Sequence, residues 1–242
     1  MSNALRSFDY EELFHHFQPI VDAQSATVYG YEALIRSKTG IGPYELFQTA
    51  RLCGELFQLD ILSFQSAIES FFGGEGPSHE QMLFVNLLPS TLGNPLFSSF
   101  LSRMEERYVH YFSRLVVEMN ESAEEMHLWD TPEFAHGTGL LRKCGIRIAL
   151  DDTGEGVSSL RKFVELEPDI VKLDRYFAQG LSESGQKQRV VNLMAELCKE
   201  GSMLILEGIE TETDWITARK LGVKLGQGFW LGRPALLPCS CQ

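Results

Sequence analysis

Short apolar runs bounded by turn residues recur along the chain at 17–22, 27–36, 82–87, 114–119, 146–152, 169–174, 203–208 and 223–231. Each run predicts a β-strand, and from the second onward most gaps carry apolar residues at helical spacing. Three of these gaps end alike, in Lys143-Cys144-Gly145, Lys199-Glu200-Gly201 and Lys220-Leu221-Gly222. A cation in the last turn complements the helix dipole, and the glycine accepts the left-handed conformation that closes a helix, so these are helix-to-strand junctions. Helix starts are visible too: Thr131 before Pro132, and Thr211 with Asp214 three positions on, both predict N-caps. Between them Val190, Met194 and Leu197 keep a helical stripe, with Val191 and Cys198 beside it.

Eight strands, mostly separated by helices, predict a TIM-type (β/α)8 barrel, with all 242 residues in one domain. A doubly wound open sheet shares the same alternation and is the competing arrangement. The first two runs are joined only by AQSAT (23–27), too short for a crossover, so they are expected to pair antiparallel. One strand then runs against the rest. The GGEGPSH segment (73–79) reads as a loop, because neither side of it holds a complete core.

Composition narrows the chemistry. The chain has 21 Lys+Arg against 33 Asp+Glu, a formal charge of −12, which argues against binding duplex nucleic acid through phosphate neutralisation. No apolar run reaches the roughly 18 residues of a membrane span, and the start lacks the pattern of a secretory signal. A cytoplasmic chain, or one domain of a larger protein, is the expectation. The five cysteines show no C-x-x-C spacing, which fits a reducing compartment, and Cys239-x-Cys241 reads as a loose tail.

Five of the runs carry two apolar residues into a polar one: Phe84-Val85-Asn86, Val116-Val117-Glu118, Ala149-Leu150-Asp151-Asp152, Ile170-Val171-Lys172 and Ile205-Leu206-Glu207. Glu32 and Gln227 hold comparable places in the second and last runs. Any one such residue is ordinarily a turn starter or helix cap. Repetition changes the reading, because the carboxyl ends of barrel strands converge on one mouth where catalytic groups of this fold sit. Glu32, Glu118, Asp151, Asp152 and Glu207 would share that mouth with Lys172, and so many carboxylates cannot all stay ionised without compensation. Divalent cations supply it, and hard oxygen ligands select Mg²⁺ or Mn²⁺. Adjacent Asp151 and Asp152 could bridge two ions, an arrangement suited to phosphoryl chemistry.

Over nearly its whole length the chain resembles the EAL domain family, bacterial cyclic di-GMP phosphodiesterases. The matching segments are FQPIVD (17–22), YEALIR (31–36), FVNLLP (84–89), VVEMNES (116–122), ALDDTGEGVSSL (149–160), DIVKLD (169–174), LEGIET (206–211) and QGFWLGRP (227–234), in the family's order. The resemblance implies a barrel with one antiparallel strand and metal-dependent hydrolysis of cyclic di-GMP to the linear dinucleotide. It implies that Glu32, Asn86, Glu118 and Asp151 hold a first metal, and that Asp151 and Asp152 hold a second. Glu207 would serve the second metal and its water, and Lys172 the attacking water or the phosphate charge. Gln18, Arg36 and Gln227 would lie near the substrate or in the hydrogen-bond network of the site. For Arg36 there is an independent reason, since a guanidinium can grip a phosphate bidentately. A homodimer is implied as well.

Departures from the family pattern bear on activity. Where the family usually reads Phe-Gly-Thr-Gly-Tyr after the paired aspartates, this chain has Thr153, Gly154, Glu155, Gly156 and Val157. The loop loses two aromatics and gains a carboxylate, although Glu121, matching the glutamate that anchors it, is retained. Leu206 stands where the family usually has Ala. Only eight residues follow Pro234, so the final helix is expected to be short or missing, leaving the wall open or covered by residues 8–16. Two other functions stay open: a regulatory EAL-like cyclic di-GMP receptor with little turnover, and a different carboxylate-rich metal barrel such as an enolase-like lyase.

Overall fold

A computed structural model describes residues 12–73, 80–120, 124–153 and 159–237 of the chain. Glu121, Glu155, Val157, Cys239 and Cys241 lie outside the described residues. The chain opens on a hairpin, β1 (Leu13–Asp22) and β2 (Val28–Ser37), followed by α1 (Pro43–Cys53) and α2 (Leu56–Phe72). Next come β3 (Met82–Asn86), α3 (Pro89–Leu92), α4 (Phe97–Tyr108), β4 (Leu115–Asn120), α5 (Pro132–Lys143) and β5 (Arg147–Thr153). The remainder is α6 (Ser159–Leu166), β6 (Ile170–Leu173), α7 (Arg175–Ala178), α8 (Gly185–Leu197), β7 (Met203–Leu206), α9 (Glu212–Lys220) and β8 (Leu225–Gln227). Among the described residues, no helix is long and apolar enough to cross a membrane.

The strands close into a barrel in sequence order, which excludes the open doubly wound sheet. From β2 to β8 all neighbours are parallel, and β1 is antiparallel to both β2 and β8. Short connections explain the reversed strand, as the turn after Asp22 is held by its own carboxylate, which accepts from the N–H groups of Gln24 and Ser25. One apolar layer fills the interior: Ile20, Met82, Phe84, Val116, Ala149, Ile170, Ile205 and Leu225. Two larger clusters pack the outward strand faces against the helices.

The caps fall where the sequence puts them. Thr131 Oγ1 accepts from Phe134 N and Thr211 Oγ1 from Asp214 N, while Gly145, Gly201 and Gly222 all take positive φ. The phase of α8 differs from expectation. Val191, Met194 and Cys198 are buried, but Val190 and Leu197 face outward at 38% and 42% exposure, because positions spaced i, i+3 and i+7 starting one residue later face the barrel.

The C-terminal wall also differs. No helix follows β8 among the described residues, and residues 13–16 do not fold across the gap: they extend β1, paired with residues 34–37. That ladder satisfies backbone groups which a loose cover would leave unpaired. The chain after β8 does the covering instead. Ala235 exchanges both backbone hydrogen bonds with Phe17, at 2.7 and 3.2 Å, and Leu237 packs on the outer core.

Close approach of α5 to α3 rests on Gly137, where an added Cβ would lie 2.4 Å from the carbonyl oxygen of Leu92. Gly139, on the same helix, has nothing within 4 Å of that position. Gly137→Ala should therefore lose about 1–3 kcal/mol through overpacking, whereas Gly139→Ala should gain up to about 1 kcal/mol from helix propensity. Urea titrations of both variants check the contrast; equal effects would show that the α3–α5 contact is not tight.

Candidate functional site

Strand alternation explains why the polar residues meet. Moving two positions toward the barrel mouth from the interior apolar layer leads from Ile20 to Gln18, Phe84 to Asn86, Val116 to Glu118, Ala149 to Asp151, Ile170 to Lys172, Ile205 to Glu207 and Leu225 to Gln227. Side chains two apart on a strand share a face, so a polar layer sits directly above the apolar one. Glu32 joins it from β2, where its Cα is paired with those of Gln18 and Phe84.

Lys172 stands at the centre with 1% exposure. Its Nζ lies 2.7 Å from Glu118 Oε1, 2.9 Å from Glu207 Oε1, 3.0 Å from Asp151 Oδ1 and 3.6 Å from Glu32 Oε2. Asn86 donates to Glu118 at 3.2 Å. Gln227 donates to Glu32 at 2.6 Å and to Gln18 at 3.2 Å, and Gln18 in turn donates to the carbonyl of Gly232.

Asp152 needs a different device, since parity alone would turn it away from Asp151. The β5–β6 register shifts between Leu150 and Thr153, and Asp152 takes a left-handed φ of 52°. This bulge brings consecutive carboxylates to one cleft. Asn120 holds the second of them, donating from Nδ2 to Asp152 Oδ2. Oxygens of Asp151, Asp152 and Glu207 all lie within 4.8 Å of one another.

The electrostatics follow from crowding. Burial disfavours the Lys172 ammonium, but Asp151, Glu118, Glu207 and Glu32 together hold its pKa well above the usual value. Burial, then the charges of Glu32 and Asp151, push Glu118 up strongly against the pull of Lys172. Glu207 is pushed up to about 8, chiefly by burial, and Asp152 to about 6, by burial and then by Asp151. Four carboxylates against one ammonium carry three uncompensated charges when ionised, and Asp152 adds a fourth. Hard oxygen donors in such excess are chemically suited to divalent cations.

Two cavities flank this layer and share Glu32. One, about 410 Å³, is lined by Gln18, Asp152, Asp174, Arg175, Glu207 and Gln227 among others. The other, about 350 Å³ and largely apolar, runs between β2, β3 and α1, with Arg36, Tyr44, Phe47, Asp60, Leu87 and Asn120 on its walls. Arg36 thus lies beside the carboxylate layer, in the neighbouring cavity, and its Nη1 donates to the carbonyl of Ile35.

Sequence reading missed four residues. Asn120 and Asp174 each stand two places past a recognised strand-end group, Glu118 and Lys172; Asn120 bonds Asp152 at the bulge, and Asp174 caps α7 beside the cleft. Asp60 is buried within α2, accepting from Leu88 N, and burial raises its carboxyl to about 7. Glu125 accepts from Arg51 and from Ser90 N, both at 2.7 Å, tying the loop after β4 to α1 and α3. An acid set among apolar residues in α2, as Asp60 is, was the available signal.

A family model described as EAL domain matches residues 1–234. The chain belongs to the EAL domain family. It is 30% identical over 96% of its length to the probable cyclic di-GMP phosphodiesterase PdeI of Escherichia coli, of which it spans 30%. It is 28% identical over 88% of its length to the blue light- and temperature-regulated antirepressor BluF of the same organism, spanning 52% of that chain. Among solved structures, BlrP1 of Klebsiella pneumoniae in a complex with manganese and cyclic di-GMP superposes with a TM-score of 0.81 at 29% identity, over 93% of this chain and 56% of that one.

Two outcomes test the electrostatic description. Asp152→Asn keeps an acceptor for Asn120 and tolerates left-handed φ, so in EDTA its melting temperature should rise by roughly 2–4 °C, the response to relieving about 1 kcal/mol. Scanning calorimetry with added Mn²⁺ should stabilise the parent more than the variant; equal shifts would place the cation elsewhere. For Asp60 the folded pKa lies above the unfolded one, so its contribution is complete below about pH 4 and is lost as pH rises through 7. Asp60→Asn should flatten the fall in stability between pH 5 and 8, by roughly 2–4 kcal/mol; an unchanged pH profile by urea unfolding would show Asp60 to be ionised at no cost.

Proposed function

We propose that this EAL domain hydrolyses one phosphodiester of cyclic di-GMP to the linear dinucleotide, using two divalent cations, Mg²⁺ or Mn²⁺. The observation that carries the reading is the excess of carboxylates around one buried ammonium, next to an apolar cavity bearing Arg36. Glu32, Asn86, Glu118 and Asp151 would hold one cation, and Asp151, Asp152 and Glu207 the other. Bound there, such ions supply Lewis-acid activation of water and of the phosphoryl oxygens.

The chain's own groups do the rest. Lys172, held protonated by its carboxylate shell, stabilises negative charge that develops at the phosphate or on the attacking water. Arg36 grips a phosphate oxygen from the adjoining cavity, whose apolar walls accept a base, and Asp60 offers that base a carboxyl. Gln227 on β8 holds Glu32, and Gln18 on the reversed strand in turn holds Gln227. Glu121 would anchor the loop that follows Asp152. Exposed Leu160 and Val164 on α6 and Leu193 on α8 are apolar surface consistent with a homodimer. The cell compartment that suits this reading is the cytoplasm.

A regulatory reading has its own support: the loop after Asp152 lacks two aromatics of the family pattern, and the BluF relative is named an antirepressor. Chromatography of nucleotides after incubation with cyclic di-GMP separates the two. With Mn²⁺ or Mg²⁺ the linear product should accumulate; with EDTA it should not, and with Ca²⁺ binding should persist without turnover, because its looser coordination spoils the two-ion geometry. Glu32→Ala should abolish turnover, while Lys172→Ala should lower kcat by about 10²–10³-fold with little change in affinity. Equal rates in EDTA and Mn²⁺ would refute the mechanism, and tight binding without product in Mn²⁺ would establish the regulatory role.

A further inference from the structure

The opposite end of the barrel carries a cavity of about 530 Å³ that the carboxylate chemistry does not use. It lies where β2, β7 and β8 begin and β1 ends, so the apolar interior layer separates it from the mouth. Met203, Val223 and Leu225 give it an apolar floor, and Arg219, Lys220 and Lys224 supply cations. Among the described residues none of these three cations has an ion pair or side-chain hydrogen bond, in a chain of net charge −12. Arg219 and Lys220 lie in the last turn of α9 and complement its C-terminal dipole. Lys224 has no such role: it sits past the helix, and its backbone is pinned by a 2.8 Å bond from Ala23 N to its carbonyl.

Two further groups fix the sign and the donor character of the cavity. Asp22 is its one acidic lining residue, and that carboxylate is already occupied by the N–H groups of Gln24 and Ser25 and by the Ser25 hydroxyl. Tyr29 OH accepts from Arg147 Nη1 at 3.1 Å, which leaves the phenol proton free to donate. The cavity therefore presents three cations and one hydroxyl donor, with no uncommitted acceptor side chain of opposite charge, above an apolar floor. Its volume falls in the range of small-molecule sites.

We infer that this cavity binds a small organic phosphate, a phosphate monoester carrying a planar or apolar group, with the phosphate on Arg219, Lys224 and Tyr29 OH. The apolar portion lies on Met203 and Val223. The site is separate from the carboxylate mouth and does not depend on its chemistry.

Isothermal titration of the full chain with GMP in EDTA tests the site, and Arg36→Ala, which removes the proposed phosphate contact at the mouth, separates the two ends. Guanosine and inorganic phosphate are the comparison probes, one lacking the charge and the other the apolar part. GMP should bind saturably, and each probe should be weaker by about tenfold or more, the value of a charge-assisted hydrogen bond or of a buried apolar group. R219A/K224A should weaken GMP by at least about tenfold, and Tyr29→Phe by about threefold to tenfold, whereas Arg36→Ala, at the mouth, should leave it unchanged. Thermal melts confirm that each variant is folded, and Tyr29→Phe decides the matter should the double variant fail to fold. No saturable binding at millimolar GMP, guanosine as tight as GMP, or full affinity in the variants at this end would overturn the inference; loss of binding only in Arg36→Ala would assign the nucleotide to the mouth.

Discussion

One buried ammonium sets the terms for the mouth of this barrel. Lys172 comes from β6, and the carboxylates on it come from β2, β4, β5 and the end of β7, so the contact set spans the barrel. A lysine at 1% exposure is costly to keep charged in an apolar surrounding, and the acids are costly to keep ionised without it. Each side of the arrangement makes the other tolerable. The balance stays negative even so, and the functional reading grows from that residue of charge. Removing either member of such a set leaves an uncompensated group, which is why the polar layer is a constraint on stability as well as a site.

The scaffold meets this constraint with strand parity. An interior residue two places short of each polar group fills the barrel, so the chain makes a dry floor and a charged layer with a single alternation. That alternation is written in the sequence as paired apolar residues leading to a polar one, and it made most of the mouth legible, while the succession of strands and helices pointed to the barrel and the short AQSAT link to the reversed first strand. Glu32, Asn86, Glu118, Asp151, Lys172, Glu207 and Gln227 lie in the layer where strand counting places them, and Gln18, which only the family resemblance offered, joins them there.

What escaped the sequence escaped for physical reasons. Asp152 was expected at the mouth beside Asp151, but the bulge and the left-handed residue that turn it there break the period that strand counting relies on. Asn120 matters only because Asp152 is turned toward it. Asp60 and Glu125 come from a helix and a loop, and their partners are backbone N–H groups and an arginine far away in sequence. The phase of α8 was off by one residue because Val190 and Leu197 are as apolar as the residues that are buried. At the C-terminal wall, sequence counting did not find the pairing of the chain after β8 with β1, since a single Phe17–Ala235 bridge leaves no periodic trace.

The reversed β1 has a geometric consequence. In an all-parallel barrel the first strand starts at the end remote from the mouth, so a displacement of the preceding chain must pass through the whole packed interior to be felt at the site. Here β1 starts at the lip, with Leu13 beside Ser37 and Phe14 beside Arg36, and it carries Gln18 down into the hydrogen-bond network of Glu32. The six residues from Leu13 to Gln18 therefore lead straight from the lip to the edge of the carboxylate layer. The lip of the barrel and Glu32 are thus joined by one strand and two side-chain hydrogen bonds, from Gln227 to Gln18 and from Gln227 to Glu32.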